Sequence, residues 1–264
     1  MNILDTIKAY KLKETAKRKI SFPVGLLEDS PYFETPCISL KHHVADKNMK
    51  GIIAEFKRQS PSKGIINPNA DAASITMGYI AAGASALSVL TDEKFFGAHQ
   101  ADFATARKFN MCPILRKDFI LDEYQVIEAK SMGADAILLI ASFISFEEIK
   151  KLISVAHQLG LEVFLETHTE NEIRTHAETT ADIIGINNRN LNTFNVDIQN
   201  SIRLAALLSN SIIKVAESGI ESAAVVKELN RNGFDGFLIG EYFMRDKNPA
   251  GKCAELIKTI RHEN

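Results

Sequence analysis

Six ionisable residues stand where apolar runs end, which is where a buried catalytic mouth would need them. Glu55 and Lys57 close GIIAEFK, Lys117 closes PILRK, Glu166 closes LEVFLE, Arg189 follows DIIGINN, and Glu217 closes IIKVAE. A charge beside buried apolar segments is expensive unless it is paired. Three acids and three cations satisfy one another if they share one mouth. A lysine beside carboxylates donates protons and a carboxylate accepts them, so the set suits general acid–base chemistry. A ring of structural ion pairs is the alternative, but structural pairs need not all fall at the same end of their strands.

A second pattern points to an anion. Ser218-Gly219-Ile220 and Ile239-Gly240-Glu241 each put a glycine where a strand turns into a helix. Glycine lets the backbone approach an anion, and N–H groups at a helix start favour negative charge. Two plain strand turns without a ligand are the alternative. Glu241 lies close enough that its carboxylate is expected to point away from a phosphate. Histidines 42, 43, 99, 157, 168, 176 and 262 lack HExxH-type spacing, so no metal is expected. His168 follows Glu166 near the rim and is a candidate to support it from behind. Cys37, Cys112 and Cys253 are too scattered for a disulfide framework and read as reduced thiols.

The elements that would position these residues repeat. The apolar runs are Gly51–Phe56, Ser85–Thr91, Pro113–Lys117, Asp135–Ala141, Leu161–Glu166, Asp182–Asn187, Ile212–Glu217 and Asp235–Gly240. Continuous apolar runs suit strands buried on both faces. Between them lie helical patterns such as Phe146–Leu159 and Val196–Leu208, with Asp197 and Ser222 as N-caps and Gly133, Gly160 and Gly233 after helix ends. Eight βα units predict an α/β protein, a (β/α)8 TIM barrel, whose chemistry sits at the C-terminal ends of the strands. A doubly wound open sheet is the rival, but no GxGxxG turn follows Phe56.

Residues 1–50 precede the repeat. Ile3, Leu4, Ile7 and Tyr10 have helical spacing, and Lys8, Lys11, Lys13, Lys17, Arg18 and Lys19 read as a solvated face, with anion steering as the alternative. Pro23, Pro31 and Pro36 then break the chain into short pieces. The segment is expected to be an extension packed on the barrel, making residues 1–264 one barrel domain.

The 264 residues carry 31 Lys+Arg and 33 Asp+Glu, a net charge of −2, with 45% hydrophobic and 24% charged residues. That composition excludes collagen-like, disordered and coiled-coil classes. A chain of this length buries about three-quarters of its unfolded surface and needs no disulfide or metal staple. Near-neutral charge argues against nucleic acid as a partner. The longest apolar run, Ala136–Ala141, is far short of the roughly 18 residues of a membrane span. The N-terminal stretch has Asp5 and no long apolar core, so it is no secretory signal, and a cytoplasmic location is expected.

The segments IIAEFKRQSPSKG (52–64), SVLTDEKFFG (88–97), ILRKDFILDEYQVIEAKSMGADAILLIA (114–141), FLETH (164–168), GINNRNLNTFNVD (185–197), VAESGI (215–220) and FLIGEYFM (237–244) together resemble the indole-3-glycerol-phosphate synthase family over essentially the whole chain. The resemblance implies a (β/α)8 barrel with an N-terminal helical extension. It also implies the closure of 1-(2-carboxyphenylamino)-1-deoxyribulose 5-phosphate to indole-3-glycerol phosphate, with loss of CO2 and water, in tryptophan biosynthesis. No cofactor is implied, and the partner is a small phosphorylated substrate, with the chain a monomer or weak homo-oligomer.

The roles implied match the substrate's groups. Lys117 would protonate the ketone oxygen, Ser60, Asn187 and Arg189 would hold the aromatic carboxylate, and Glu166 would be the base of the dehydration, with Glu55 close by. Lys57 would bridge phosphate and reaction centre, and either it or Lys117 would be the acid of the dehydration. Glu217 would orient the lysines or the ribulose hydroxyls. Phe119 and Leu191 would wall the aromatic ring, and Ser218, Gly219, Gly240 and Glu241 would border the phosphate. Pro61 would stiffen the loop that closes over the site. Two departures stand out. Gly97-Ala98-His99 replaces the family's frequent Gly-Ser helix start, which weakens the expected cap, and Thr167 replaces a commoner aliphatic residue. A Schiff-base aldolase using Lys117, and a non-catalytic phosphate-binding barrel, remain alternatives.

Overall fold

The computed structural model describes residues 3–61, 63–190 and 195–262. Eight parallel strands close into a barrel: β1 (Ile52–Phe56), β2 (Ala86–Leu90), β3 (Ile114–Lys117), β4 (Ala136–Ile140), β5 (Glu162–Thr167), β6 (Ile183–Asn187), β7 (Ile213–Glu217) and β8 (Gly236–Ile239). Each strand pairs with the next in sequence, and β8 returns to β1 with Ile53 opposite Leu238. Every strand falls within one residue of its apolar run. The reason is burial on both faces: all five side chains of β1, β2 and β4 are inside. A buried strand is therefore written as a continuous apolar word.

Helices cover the outside, and their starts are fixed by side chains. Asp71, Asp122, Ser145, Thr169, Asp197 and Ser222 each accept a backbone N–H of the first turn. The helix expected from Val196 starts at Ile198 instead. Asp197 is its cap, and Val196 is taken up in a bridge to Arg189.

The N-terminal segment forms a helix, Ile3–Ser21, that lies at the C-terminal mouth of the barrel; Ile3, Leu4 and Ile7 border the cavity there. Lys11 departs from the expected solvated face. Its side chain is 3% exposed and reaches Asp118 (2.8 Å), Asp92 (3.4 Å) and Glu14. Arg116 joins Asp118 (3.0 Å) to Glu128 (2.6 Å), and Arg18 of the same N-terminal helix pairs with Glu128 (2.6 Å). Helical periodicity put Lys11 among its lysine neighbours, but it lies one turn beyond the buried Ile7, on the same face. Lys13, Lys17 and Lys19 are exposed as expected. At the opposite end of the barrel the helix Leu40–Ala45 buries Leu40 and Val44 against β2 and β7.

Candidate active site

A cavity of about 180 Å³ opens at the C-terminal ends of the strands. Glu55, Lys57, Ser60, Lys117, Phe119, Glu166, Asn187, Arg189, Glu217, Ser218, Gly219, Gly240 and Glu241 all border it. Leu191 lies outside the described residues. In a parallel barrel every strand ends on the same rim, so residues more than 150 positions apart meet by closure alone.

Lys117 is the centre of the charged floor. Its Nζ lies 2.5 Å from Glu217 Oε2 and 3.2 Å from Glu166 Oε2. The other Glu166 oxygen accepts a hydrogen bond from Asn187 Nδ2 (3.0 Å) and faces His168 Nε2 at 3.2 Å. Asn187 Oδ1 in turn accepts the Arg189 backbone N–H (3.0 Å). Glu55 Oε1 pairs with Lys57 Nζ at 2.8 Å.

These contacts set protonation. Burial disfavours the Lys117 charge, yet Glu217 and Glu166 outweigh it and raise its pKa, so the ammonium persists. Burial pushes Glu166 up, but the Lys117 ammonium and then His168 hold it well below the usual carboxylate range. Glu217 takes the opposite course: burial and the neighbouring Glu166 charge push it up to about 7. One cation thus stands between one fixed anion and one carboxyl poised near neutrality, the pattern that separates acid and base roles.

Two glycines make room for this floor. A Cβ at Gly185 on β6 would run into the Phe164 ring and come within 2.6 Å of Glu217 Oε1. A Cβ at Gly240 would collide with Glu55, lying 2.9 Å from its Cβ. Gly240 therefore has a packing duty besides the cradle expected for it.

At the anion end Ser218 and Gly219 are consecutive left-handed residues, with φ of 67° and 70°. Ser218 is unusual there for a residue with a Cβ, and its carbonyl accepts Asn188 Nδ2 at 2.6 Å. Glu241 borders the cavity, and its carboxylate pairs with Arg189 (3.2 Å) and Lys63 (3.7 Å).

The apolar wall is wider than the sequence reading. Phe119 packs on Phe96 (ring centroids 5.9 Å) and Phe143 (5.4 Å). Phe96, Ile3, Leu4 and Ile7 also border the cavity. These four were missed, since helical spacing reveals an apolar face but not what it covers.

The loop after β1 is tied at its base. Arg58 holds Asp102 through two nitrogens (3.0 and 2.7 Å) and donates to Ala70 O (2.6 Å). Asp102 also accepts the His99 N–H (2.9 Å), and Asp92 caps Phe95 (2.6 Å). The turn at Ala98 is therefore anchored by its neighbours although Ala98 has no capping group. Among the described residues no group of three or more His, Cys, Asp or Glu is placed to hold a metal ion, and no helix is long and apolar enough to cross a membrane.

Known proteins share both the sequence and the fold. The sequence model of the indole-3-glycerol phosphate synthase family matches residues 4–256. A Bacteroides thetaiotaomicron protein named indole-3-glycerol phosphate synthase is 47% identical over 98% of this chain and 99% of its own length. A Campylobacter curvus protein of the same name is 44% identical over 93% of this chain and 95% of its own. Among solved structures, 3-hexulose-6-phosphate synthase from Salmonella typhimurium superposes with a TM-score of 0.64 over 81% of this chain and all (100%) of that one, at 14% identity. At that identity the likeness shows the barrel fold alone.

Proposed function

The chain belongs to the indole-3-glycerol phosphate synthase family, a lyase family of tryptophan biosynthesis, and from that premise we propose how its mouth carries out the ring closure. The reaction closes 1-(2-carboxyphenylamino)-1-deoxyribulose 5-phosphate to indole-3-glycerol phosphate, releasing CO2 and water. Lys117 donates a proton to the ketone oxygen as the aromatic carbon attacks it. Its raised pKa keeps that proton available. Arg189, Asn187 and Ser60 hold the aromatic carboxylate until it leaves as CO2. Glu166, held anionic, removes the proton that the dehydration releases, with Glu55 and its partner Lys57 beside it. Glu217 aims Lys117 and, titrating near neutrality, buffers its proton.

Phe119, with Phe96 and the N-terminal residues Ile3, Leu4 and Ile7, folds the aromatic ring over the ketone, which is catalysis by proximity. Leu191 is proposed for the same wall. Lys57, Ser218, Gly219 and Gly240 take the phosphate, and Glu241 orients Arg189 and Lys63 beside it. We propose a working unit of one barrel domain, a monomer or weak homo-oligomer of the cytoplasm.

The observation that carries the reading is the Lys117 ammonium clamped between two buried carboxylates on the cavity floor. Glu166→Gln keeps the shape and removes the base. Turnover followed by indole fluorescence is expected to fall by about 10² or more; turnover like the wild type refutes the assignment. Borohydride with the ketose phosphate separates the aldolase alternative, since a trapped adduct on Lys117 would favour it.

A further inference from the structure

We propose that His168 is a positioning residue for Glu166 and the inner station of a proton path whose outer station is Glu172. This rests on reading Glu166 as the base. His168 follows β5 directly and does not border the cavity, so it acts through Glu166 rather than on substrate. Its side chain is 11% exposed, with Nε2 3.2 Å from Glu166 Oε1 and Nδ1 3.8 Å from Glu172 Oε2. Nε2 therefore meets the Glu166 carboxylate at hydrogen-bond distance, while Nδ1 has no hydrogen-bond partner among the described residues. An imidazole buried between two carboxylates, with one nitrogen on the inner one and the other uncommitted, is placed to pass a proton between them.

The outer carboxylate is fixed. Glu172 accepts the backbone N–H of His168 (2.6 Å) and of Thr169 (3.2 Å), and its own backbone N–H donates to Thr169 Oγ1 (3.2 Å). That capping box starts the helix Glu170–His176. Glu172 is thus held where it faces the imidazole on one side and the exposed Thr169 turn on the other.

Stoichiometry requires that a proton reach the floor from solvent in each turnover, which such a path would supply. The substrate carboxylate leaves as CO2 and the ketone oxygen leaves as water, so each turnover consumes one proton. Two protons reach the substrate oxygen from the acid groups of the floor, and Glu166 recovers one from carbon. The other must come from solvent to a floor whose acidic side chains are only 5% (Glu166) and 3% (Glu217) exposed. Glu172 takes a proton from water, the neutral His168 ring accepts it at Nδ1 and releases the one on Nε2 to Glu166 Oε1, Lys117 recharges from Glu166, and the ring returns to its Nε2–H form before the next turnover.

The groups facing the imidazole are Glu166 on β5, Glu172 on the next helix and Glu217 on β7, with Lys117 beyond Glu166. Burial disfavours the imidazolium, but these carboxylates outweigh it and raise its pKa above the usual value. The imidazolium therefore persists to higher pH than that of an ordinary histidine and is lost as pH rises further.

The test uses the full chain with His168→Gln, His168→Leu and Glu172→Gln, the last keeping the cap. The kcat and KM of each are measured between about pH 6 and pH 9. The expected result is a fall in kcat of about tenfold in His168→Gln with KM nearly unchanged, a shifted alkaline limb of the kcat profile, and a smaller change of the same kind in Glu172→Gln. An NMR titration of wild type should put the His168 ring above the usual imidazole value. If His168→Leu does not fold, the two glutamine variants carry the test. A His168→Gln enzyme with the wild-type profile, or with lower kcat and an unshifted limb, overturns the proposal while Glu166→Gln remains inactive. An active Glu166→Gln enzyme would instead remove the reading beneath it.

Discussion

Replacing Lys117 by Met should cost rate and stability together, and the stability loss should grow with pH. At 3.2 Å from Glu166, the Coulomb attraction is about 5 kcal/mol at an effective dielectric constant of about 20, partly offset by the cost of burying the charges. Methionine fills the space but leaves Glu166 and Glu217 facing each other. Glu166 loses the cation that holds its pKa down, so burial raises it, as it already raises Glu217 to about 7. Unfolded carboxylates titrate near about 4.3. Above that pH the folded variant keeps protons that the unfolded chain sheds, so its stability falls as pH rises. The deficit against wild type in urea unfolding should already be present at about pH 5, where the Glu166 pairing is lost, and grow to about 3–5 kcal/mol by about pH 8 as the two carboxyls are forced to ionise. Turnover in indole fluorescence should fall by about 10² or more at every pH, since the acid itself is gone. A deficit independent of pH would show that the two carboxylates are not what Lys117 neutralises. Wild-type turnover would end its role as the acid.

Gly185→Ala should destabilise the protein by about 1–3 kcal/mol in thermal unfolding and lower turnover, because the new methyl displaces Glu217 and Phe164. Lys11→Met should cost about 3–5 kcal/mol in urea unfolding at neutral pH, since it strands Asp92 in the interior and takes one of its two cations from Asp118, and should raise KM as the Ile3–Leu4–Ile7 wall loses its anchor. Unchanged stability would mean the N-terminal helix is held by its apolar contacts alone. Asp118, Glu128 and Glu166 are all held below the ordinary carboxylate value by cations that outweigh burial. Their contribution is complete above about pH 4 and is lost as pH falls through their lowered values, so far-ultraviolet circular dichroism should show acid unfolding below that range; a stability flat down to about pH 2 would contradict these pairings.

Much of the site was legible because a parallel barrel aligns all strand ends on one rim. Once eight apolar words were read as strands, Glu55, Lys117, Glu166, Asn187 and Glu217 had to converge. Pairing was not legible, because position on the rim does not say which acid a lysine reaches. Glu217 lies closer to Lys117 than Glu166 does, and the two carboxyls are pushed in opposite directions by surroundings that no local sequence describes. Lys11 was misread for a related reason. Its neighbours in sequence are exposed lysines, and only the docking of the helix brings Asp92 and Asp118 to it.

The sequence by itself determined the strands, the caps and the order of charged residues, because hydrophobic runs, capping side chains and turn glycines act over a few residues. Tertiary structure alone decided which charges touch, how deeply each is buried and which helix covers the mouth. Those outcomes depend on distances between segments remote in the chain, and Coulomb and desolvation energies follow distance and burial, not sequence separation.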